Sequence, residues 1–472
     1  MTYRMLIDGQ LVEGAATLAV IDPATGAPFA TVARADEAQL ETGVAAAKRA
    51  FPGWAALPHA ERSRALLALA DAVEARQEDF ATLLTREQGK PLPQAQGEVI
   101  GTIMTFRWFA EQELPIEVLR DTPTERVVEQ RMPLGVIAAI TPWNFPLILL
   151  AIKIAPALIA GNTVIAKPAP TTPLTSALLG EVAVGIFPAG VFNVIVDAND
   201  LGGALSRHPD IAKVSFTGST ATGKRVMESA AGTLKRLTLE LGGNDAAIIL
   251  DDVDPAEVAP KVFDAAMLNA GQVCLAVKRV YAPRALYEAF CAEFARLGAN
   301  AMVDDGLNQG AQIGPVQNQQ QYEKVLGFIE EAKTQGKVVV GGHALDRAGY
   351  FIAPTVIRDL PHDARLVREE QFGPVFPILA YDTIDEVIDH ANDSEYGLGG
   401  TIWARDLDRA FAVAQRIHTG TVWINKHLDM PLDTSFGGSK QSGIGREQGL
   451  EGLHDYTQVK VINMAKSSLE PA

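Results

Sequence analysis

The sequence predicts an α/β protein of two units, each a parallel sheet with helices on both faces, accompanied by a small β arm. Three observations predict it. A chain of 472 residues is too long for one ordinary core, so two or three domains are expected. Short β-branched or apolar runs alternate with helical stretches in two separate regions. Two lone strand-like segments stand far apart in the chain, one of them near its end.

The elements follow in chain order. "EAQLETGVAAAKRAF" (37–51) and "ERSRALLALADAVEARQEDFATLLTREQG" (61–89) carry apolar residues at helical spacing, the second stopping before Gly89 and Pro91. "TERVVEQRMP" alternates polar and apolar residues and is the first lone strand. Between Arg131 and Lys153 the chain is uncharged for the length of a membrane-spanning helix. Pro133, Pro142 and Pro146 would leave backbone groups unpaired in lipid, so the stretch is read as a buried strand "GVIAAIT", a turn "PWNFP" and a buried helix. "NTVIAKP", "FNVIV", "KVSFTG", "LTLELGG" and "AAIIL" then complete a first alternation that ends near Asp251. A second begins near Gln272 with "RVYAP", "KVVVGG", "FIAPTVI", "VFPILAYD", "GGTIWAR" and "TVWIN". The glycine cluster "SGIGREQG" from Ser442 follows no strand and is read as a loop; "HDYTQVKVINMA" is the second lone strand. Such strands suggest an arm that pairs with something outside the two units.

The balance of 41 basic against 57 acidic residues gives a net charge of −16. It argues against nucleic acid or an anionic membrane surface as the main partner. Two cysteines make no disulfide framework, and the start "MTYRMLIDGQLVEG" has no apolar signal-peptide core, so a cytoplasmic, reducing location is expected.

Cys274, in "NAGQVCLAV", follows Gly271 and Gln272 at a loop or helix start, where backbone amides support a thiolate. A free cysteine is as often a small apolar filler, and Cys291, in "LYEAFCAEFARL", fits that reading. Glu240 ends the strand of "TLELGGND", where open α/β sheets place ligands; it is either a solvated residue beside a glycine turn or a general base. In "VSFTGSTATGKRV" a strand, a Gly218–Ser219 turn and a helix start suit a pyrophosphate, although the G-x-G-x-x-G spacing is missing. Lys167 stands at a strand end, able to hold a ribose or phosphate, as any surface lysine there would be. Asn144, between two prolines, either aims its amide at an oxyanion or caps the following helix.

Together "PWNFP", "AKPAP", "FTGST", "LELGGND", "GQVC", "EEQFGPV" and "FGGSKQSGIGREQG" resemble the aldehyde dehydrogenase superfamily, in its order and approximate spacing. Glu240 lies 34 positions before Cys274, as that family's base and nucleophile do. The resemblance runs from "DGQLVEG" to "DYTQVKVI". It implies a Rossmann-type cofactor domain (1–114 and 134–241), a second α/β catalytic domain (242–442) and an oligomerisation arm (115–133 and 443–472) of a homodimer or homotetramer. It implies that Cys274 attacks the aldehyde, that Asn144 and the Cys274 amide stabilise the oxyanion, and that Glu240 activates the hydrolytic water. Lys153 and Glu447 match a buried pair near the water path. Trp143, Lys167, Gly218 and Ser219 match adenosine and pyrophosphate contacts, Glu370 and Phe372 contacts to the nicotinamide-side ribose, with Gln321 beside them. The implied cofactor is NAD; no metal is called for.

Two departures stand out. Where many NAD-preferring members carry a glutamate three positions beyond the motif lysine, this chain has Pro170, which leaves NADP open. Asp245 takes the place of a small or apolar residue. The pocket implied by the resemblance comprises Phe145, Leu149, Ile152, Val273, Leu275 and Phe436, with Gln272 as a further wall, so an apolar aliphatic or aromatic aldehyde is expected. Lys426 and His427 keep a carboxylated aldehyde open, although both read as exposed side chains. A coenzyme A-acylating relative and a non-catalytic NAD-binding scaffold are the rivals; Glu240 speaks against the first, and the joint presence of Cys274, Glu240 and Asn144 against the second.

Overall fold

The computed structural model describes residues 2–466. Its first sheet has eight strands, in the order Gly443–Ile444, Arg236–Glu240, Ile211–Thr217, Val136–Ile140, Thr163–Lys167, Phe192–Val194, Met5–Ile7 and Gln10–Val12. The five from Arg236–Glu240 to Phe192–Val194 run parallel. Val136–Ile140 and Thr163–Lys167 are buried at every position, as strands covered on both faces must be. From Val136–Ile140 the chain builds outward to Thr163–Lys167 and Phe192–Val194, then crosses back to Ile211–Thr217 on the other side. This reversal opens a crevice at the carboxyl ends of Val136–Ile140 and Ile211–Thr217, the place where doubly wound sheets take ligands.

The second sheet has seven strands, in the order Lys337–Val340, Thr355–Arg358, Val375–Tyr381, Val277–Pro283, Asp245–Ile249, Gly399–Trp403 and Thr421–Ile424. All pair parallel except Lys337–Val340. Asp245 and Val277 are register partners where their strands begin. Glu240 ends a strand of the first sheet and Asp245 begins one of the second, so the chain between them carries the carboxyl ends of one sheet to the amino ends of the other.

Three readings are corrected. Ala246–Leu250, grouped by sequence with the first alternation, lies in the second sheet beside Val277–Pro283 and Gly399–Trp403, because the glycine pair after Glu240 breaks the strand run. The helical run 61–89 is two helices, His59–Glu74 and Gln77–Gln88. The cluster from Ser442 is no mere loop: Gly443–Ile444 pairs with Leu239 and Glu240, and Gly449–His454 is a helix. Gly443 takes φ 147, and a Cβ there would stand 2.0 Å from Leu239 O, so only glycine admits this pairing. The two lone strands, Glu125–Pro133 and Thr457–Ala465, pair with each other, and Glu117–Asp121 joins them in a three-stranded sheet. The segment from residue 443 therefore serves the first sheet before its last strand enters the arm.

Sequence periodicity missed the early strands. Ala16–Asp22 and Ala27–Arg34 form a sheet with Thr2–Tyr3, and Met5–Ile7 with Gln10–Val12 edges the first sheet. Thr2–Tyr3, Met5–Ile7 and Gln10–Val12 are too short for period-two alternation to declare itself, and the longer Ala16–Asp22 and Ala27–Arg34 are largely exposed or half-buried and rich in alanine, which carries little strand signal. Among the described residues no helix is long and apolar enough to cross a membrane; the uncharged run forms the strand Val136–Ile140, a turn, and the buried helix Pro146–Ile159.

Candidate active site

The nucleophile turn begins where the helix Pro255–Met267 breaks into the short turn Leu268–Gly271. Asn269, Ala270 and Gly271 all take left-handed backbone angles, with φ of 51, 54 and 71. For Asn269 and Ala270 this costs on the order of 1–3 kcal/mol each, so the surroundings must over-determine it. They do. Asn269 N–H donates to Gln94 Oε1 at 3.1 Å, and Asn269 Nδ2 donates to Asn144 O at 3.0 Å. Gln272, expected as a pocket wall, is instead a buried brace: its Nε2 donates to Asn269 O at 2.8 Å, and its Oε1 accepts from Gln317 N at 2.8 Å. A polar side chain with both ends satisfied inside the protein is not offered to a substrate.

Cys274 follows, only partly covered, in the turn before Val277–Pro283. Val273, Leu275, Leu398, Trp423 and Phe436 form an apolar cluster there, with Phe145, Leu268, Leu428 and Met430 packed against it. Four expected pocket residues thus meet at the sulfur. Leu149 and Ile152 lie on the helix Pro146–Ile159 outside that cluster. Leu268, Leu398, Trp423, Leu428 and Met430 carry no motif, so only the fold could bring them in. Burial, and then the charge of Glu240, push the Cys274 thiol well above its ordinary range.

Glu240 is buried at the end of Arg236–Glu240, and neither of its oxygens has a hydrogen-bond partner of ordinary geometry. An unpaired buried carboxylate is costly, and burial followed by the charge of Glu447 pushes its pKa up to about 8. The Cys274 thiol and the Lys153 ammonium pull the other way. Lys153 Nζ donates to Thr217 Oγ1 at 2.7 Å, and Thr217 is the register partner of Glu240 on the adjacent strand. The same ammonium lies 2.5 Å from Glu447 Oε1, and both side chains are buried.

Asn144 is buried in the turn after Val136–Ile140. One amide hydrogen goes to Gln272 O at 3.0 Å, which ties the side chain to the nucleophile turn and leaves its second hydrogen for another acceptor. Its carbonyl is gripped by Lys90 Nζ at 2.9 Å as well as by Asn269. Lys90 is fully buried, 2.5 Å from Glu98 Oε2 and 3.6 Å from the Phe145 ring centroid. Glu98 Oε1 accepts the amides of Leu147 and Ile148, so the helix is capped by Glu98 and not by Asn144. Lys90 and Glu98 sit in "GKPLPQAQGE", where a surface charge pair reads the same as a buried one.

The crevice carries the remaining expected residues. Ser219 caps the helix Thr220–Ala230 through Thr222 N, and Gly218 lies between that cap and the strand end. Lys167 is buried, not on the surface, and stands 2.7 Å from the equally buried Asp197 carboxylate, a partner that sequence reading missed. Pro170 is half-buried beyond it. Glu370 Oε1 accepts from Gly243 N at 3.1 Å; a Cβ on Gly242 would stand 2.4 Å from Glu370 Oε2, so that glycine makes room for the carboxylate. Phe372 takes φ 54 and packs edge-on against Trp143, with centroids 5.3 Å apart. Gln321 Nε2 fixes this loop by donating to the carbonyls of Gln371 and Phe372 at 2.9 and 3.0 Å.

Asp245, the unusual residue of "LGGND", is buried, and its carboxyl is pushed up to about 7 chiefly by that burial. One oxygen accepts from Gly399 N at 3.1 Å and the other is unpartnered. Of the two anchor-loop cations, Lys426 is exposed and paired with Asp429 at 2.5 Å. His427, by contrast, is not an exposed side chain. It holds Leu275 O at 2.6 Å, and burial lowers its pKa to about 4, so the ring is neutral.

Residues 11–462 match the model of the aldehyde dehydrogenase family. The succinate-semialdehyde dehydrogenase [NADP(+)] GabD of Escherichia coli is 37% identical, over 97% of this chain and 96% of its own. The 2-aminomuconic 6-semialdehyde dehydrogenase of a Pseudomonas species is 39% identical, over 97% and 96%. The betaine aldehyde dehydrogenase of Staphylococcus aureus, solved in complex with NAD+, superposes with a TM-score of 0.96 at 34% identity, over 99% of this chain and 95% of that one.

Proposed function

The chain belongs to the aldehyde dehydrogenase family, and from that premise we propose that it oxidises an uncharged, apolar aldehyde to the carboxylic acid through Cys274, with hydrolysis driven by Glu240. One observation carries the reading: a buried carboxylate with no hydrogen-bond partner of ordinary geometry stands near enough to Cys274 for the two groups to act on each other's acidity. Such a carboxylate is expensive to keep, and it earns a role by accepting a proton.

The Cys274 sulfur attacks the aldehyde carbon, and its proton passes to Glu240. The oxygen, now an oxyanion, takes the free hydrogen of the Asn144 amide and the Cys274 backbone N–H. Lys167, Gly218, Ser219, Trp143, Glu370 and Phe372 would hold the nicotinamide cofactor. The fit rests on the helix start at the crevice, the buried Lys167 and the glycine space that admits Glu370. When bound, the cofactor supplies the acceptor for the hydride that leaves the thiohemiacetal carbon. The thioester on Cys274 is then hydrolysed by a water whose proton goes to Glu240, with Lys153 and Glu447 beside it to carry protons onward.

The apolar cluster around Cys274 supports an uncharged substrate. The relatives that act on semialdehydes favour a second reading, a carboxylated aldehyde. Against it, Lys426 is already paired and His427 is neutral, so neither is an unpaired cation for a carboxylate. NAD is proposed as the cofactor, because Asp197 neutralises Lys167 where a 2′-phosphate would need its charge; NADP stays open for want of an acid at Pro170. The arm exposes Val118, Leu119, Val459, Val461, Ile462 and Met464, which supports a homodimer or homotetramer sealed through it.

The test is reduced-cofactor formation over a panel of aldehydes, apolar and carboxylated, with both cofactors. Wild type should turn over and Cys274→Ala should not; activity that survives in Cys274→Ala removes the nucleophile assignment. Glu240→Gln should accumulate a thioester visible by intact mass while wild type releases acid without coenzyme A; a coenzyme A-dependent protein would stall at the thioester even with Glu240 intact, and a non-catalytic protein would form none.

A further inference from the structure

One buried cation beside the nucleophile has no part in the steps above. Lys278, in Val277–Pro283, is 1% exposed. Its Nζ donates to Val273 O at 2.5 Å and to Cys274 O at 2.9 Å. Glu370 Oε1 lies 3.6 Å from it, and the Phe372 ring centroid 5.6 Å. Val273 O also accepts the Ala276 amide at 3.1 Å, which closes the turn around Cys274.

We propose that Lys278 is the positioning residue of the nucleophile turn: by holding the carbonyls of Val273 and Cys274 behind the loop, it turns the Cys274 amide outward to meet the oxyanion. The proposal rests on the reading of Cys274 as nucleophile. Its geometry follows from the peptide plane. In a trans peptide the carbonyl of one residue and the N–H of the next point in opposite directions, and this chain has no cis bond among the described residues. A carbonyl of Val273 fixed on Lys278 therefore aims the amide of Cys274 away from the lysine. A neutral side chain of the same length would leave the second carbonyl less well held, since an ammonium has three donors.

The charge contributes as well. A cation behind the turn favours the ionised sulfur, opposing Glu240 and Glu370, the two carboxylates that act on Cys274. Lys278 is itself faced by Asp245, Glu370, Lys324 and His427. Burial raises the Asp245 carboxyl, and the charge of Lys278 is the largest influence opposing that rise, so the two groups act on one another beneath the turn. The unusual acid of "LGGND" thus lies within the electrostatic reach of the cation under the nucleophile.

Three variants test this in the full-length protein: Lys278→Met, Lys278→Gln and Lys278→Arg. Two readouts serve: the pH dependence of Cys274 alkylation by iodoacetamide, followed by intact mass without aldehyde, and kcat/KM for the best aldehyde of the panel. Lys278→Met should raise the alkylation midpoint by about one pH unit and lower kcat/KM roughly 10- to 100-fold at saturating cofactor. Lys278→Arg should restore the midpoint. Lys278→Gln, which keeps a donor without the charge, should retain the raised midpoint and recover part of kcat/KM; if Lys278→Met does not fold, it carries the comparison. A midpoint unchanged in both neutral variants, or a kcat/KM within twofold of wild type, overturns the proposal. Aldehyde oxidation that persists in Cys274→Ala would instead remove the nucleophile reading on which it stands, and alkylation that persists there is subtracted as that of Cys291.

Discussion

Lys153 Nζ stands 2.5 Å from Glu447 Oε1, both side chains buried and 294 positions apart in sequence. The pair ties the helix after the first crevice strand to the segment that closes the first sheet. Lys153→Met would leave the buried Glu447 without its cation, held only by the Ser215 hydroxyl at 3.5 Å, at a cost of about 3–5 kcal/mol. The expected result is a melting transition several degrees lower and, in whatever protein remains folded, slower release of acid from the thioester, followed by thermal denaturation and single-turnover kinetics.

Glu240, with its pKa pushed up to about 8 by burial and then by Glu447, is protonated below that pH and cannot take a proton from water. Under conditions where hydrolysis limits turnover, the rate should therefore rise with pH through a midpoint near 8 and level off above it. Glu240→Gln should abolish this rise along with the turnover. A wild-type rate that is flat between pH 7 and 9 would place the base elsewhere.

Asn144→Ala removes an oxyanion donor, and such losses cost kcat about 100- to 1,000-fold. It also breaks the amide's bond to Gln272 O, so the pH dependence of Cys274 alkylation should be measured in the same variant. A loss of kcat with an unshifted alkylation profile assigns the effect to the oxyanion.

Asp197→Asn should alter cofactor choice. Its Oδ2 accepts the Leu201 amide, which asparagine can still do, while the charge that neutralises Lys167 disappears. An ammonium freed in this way attracts a 2′-phosphate, so the ratio of kcat/KM with NADP to that with NAD should rise by about tenfold. An unchanged ratio would mean that the pair lies out of reach of the adenosine ribose.

Gly271→Ala should be severely destabilising. The position takes φ 71, and a Cβ there would stand 2.2 Å from Gly373 O, a backbone atom that cannot swing away. Loss of soluble protein or a large fall in melting temperature is the expected outcome.

The two alternations, the uncharged strand–turn–helix and the trio Cys274, Glu240 and Asn144 were legible because periodicity and short motifs are local signals. Lys90, Glu98, Asp197 and Lys278 were not. Each is a charged residue whose meaning depends on a partner or carbonyl brought to it by the fold, and burial of a charge leaves no mark on the residues beside it. His427 was misread for the same reason. "AAIIL" has the composition of a strand, and nothing in it says to which of two sheets it pairs.

The pairing of Gly443–Ile444 with Leu239 and Glu240, reinforced by the Ser442 hydroxyl donating to Gly242 O across 200 positions, sets an order of events during synthesis. At 5–20 residues per second, Glu240 leaves the ribosome roughly 10–40 s before the strand that covers it. Until then the carboxylate lies at an open sheet edge, hydrated and of ordinary acidity. A nascent chain stalled before residue 443 would thus hold the cysteine but no tuned base, so catalytic competence is conferred only once that strand has joined the sheet.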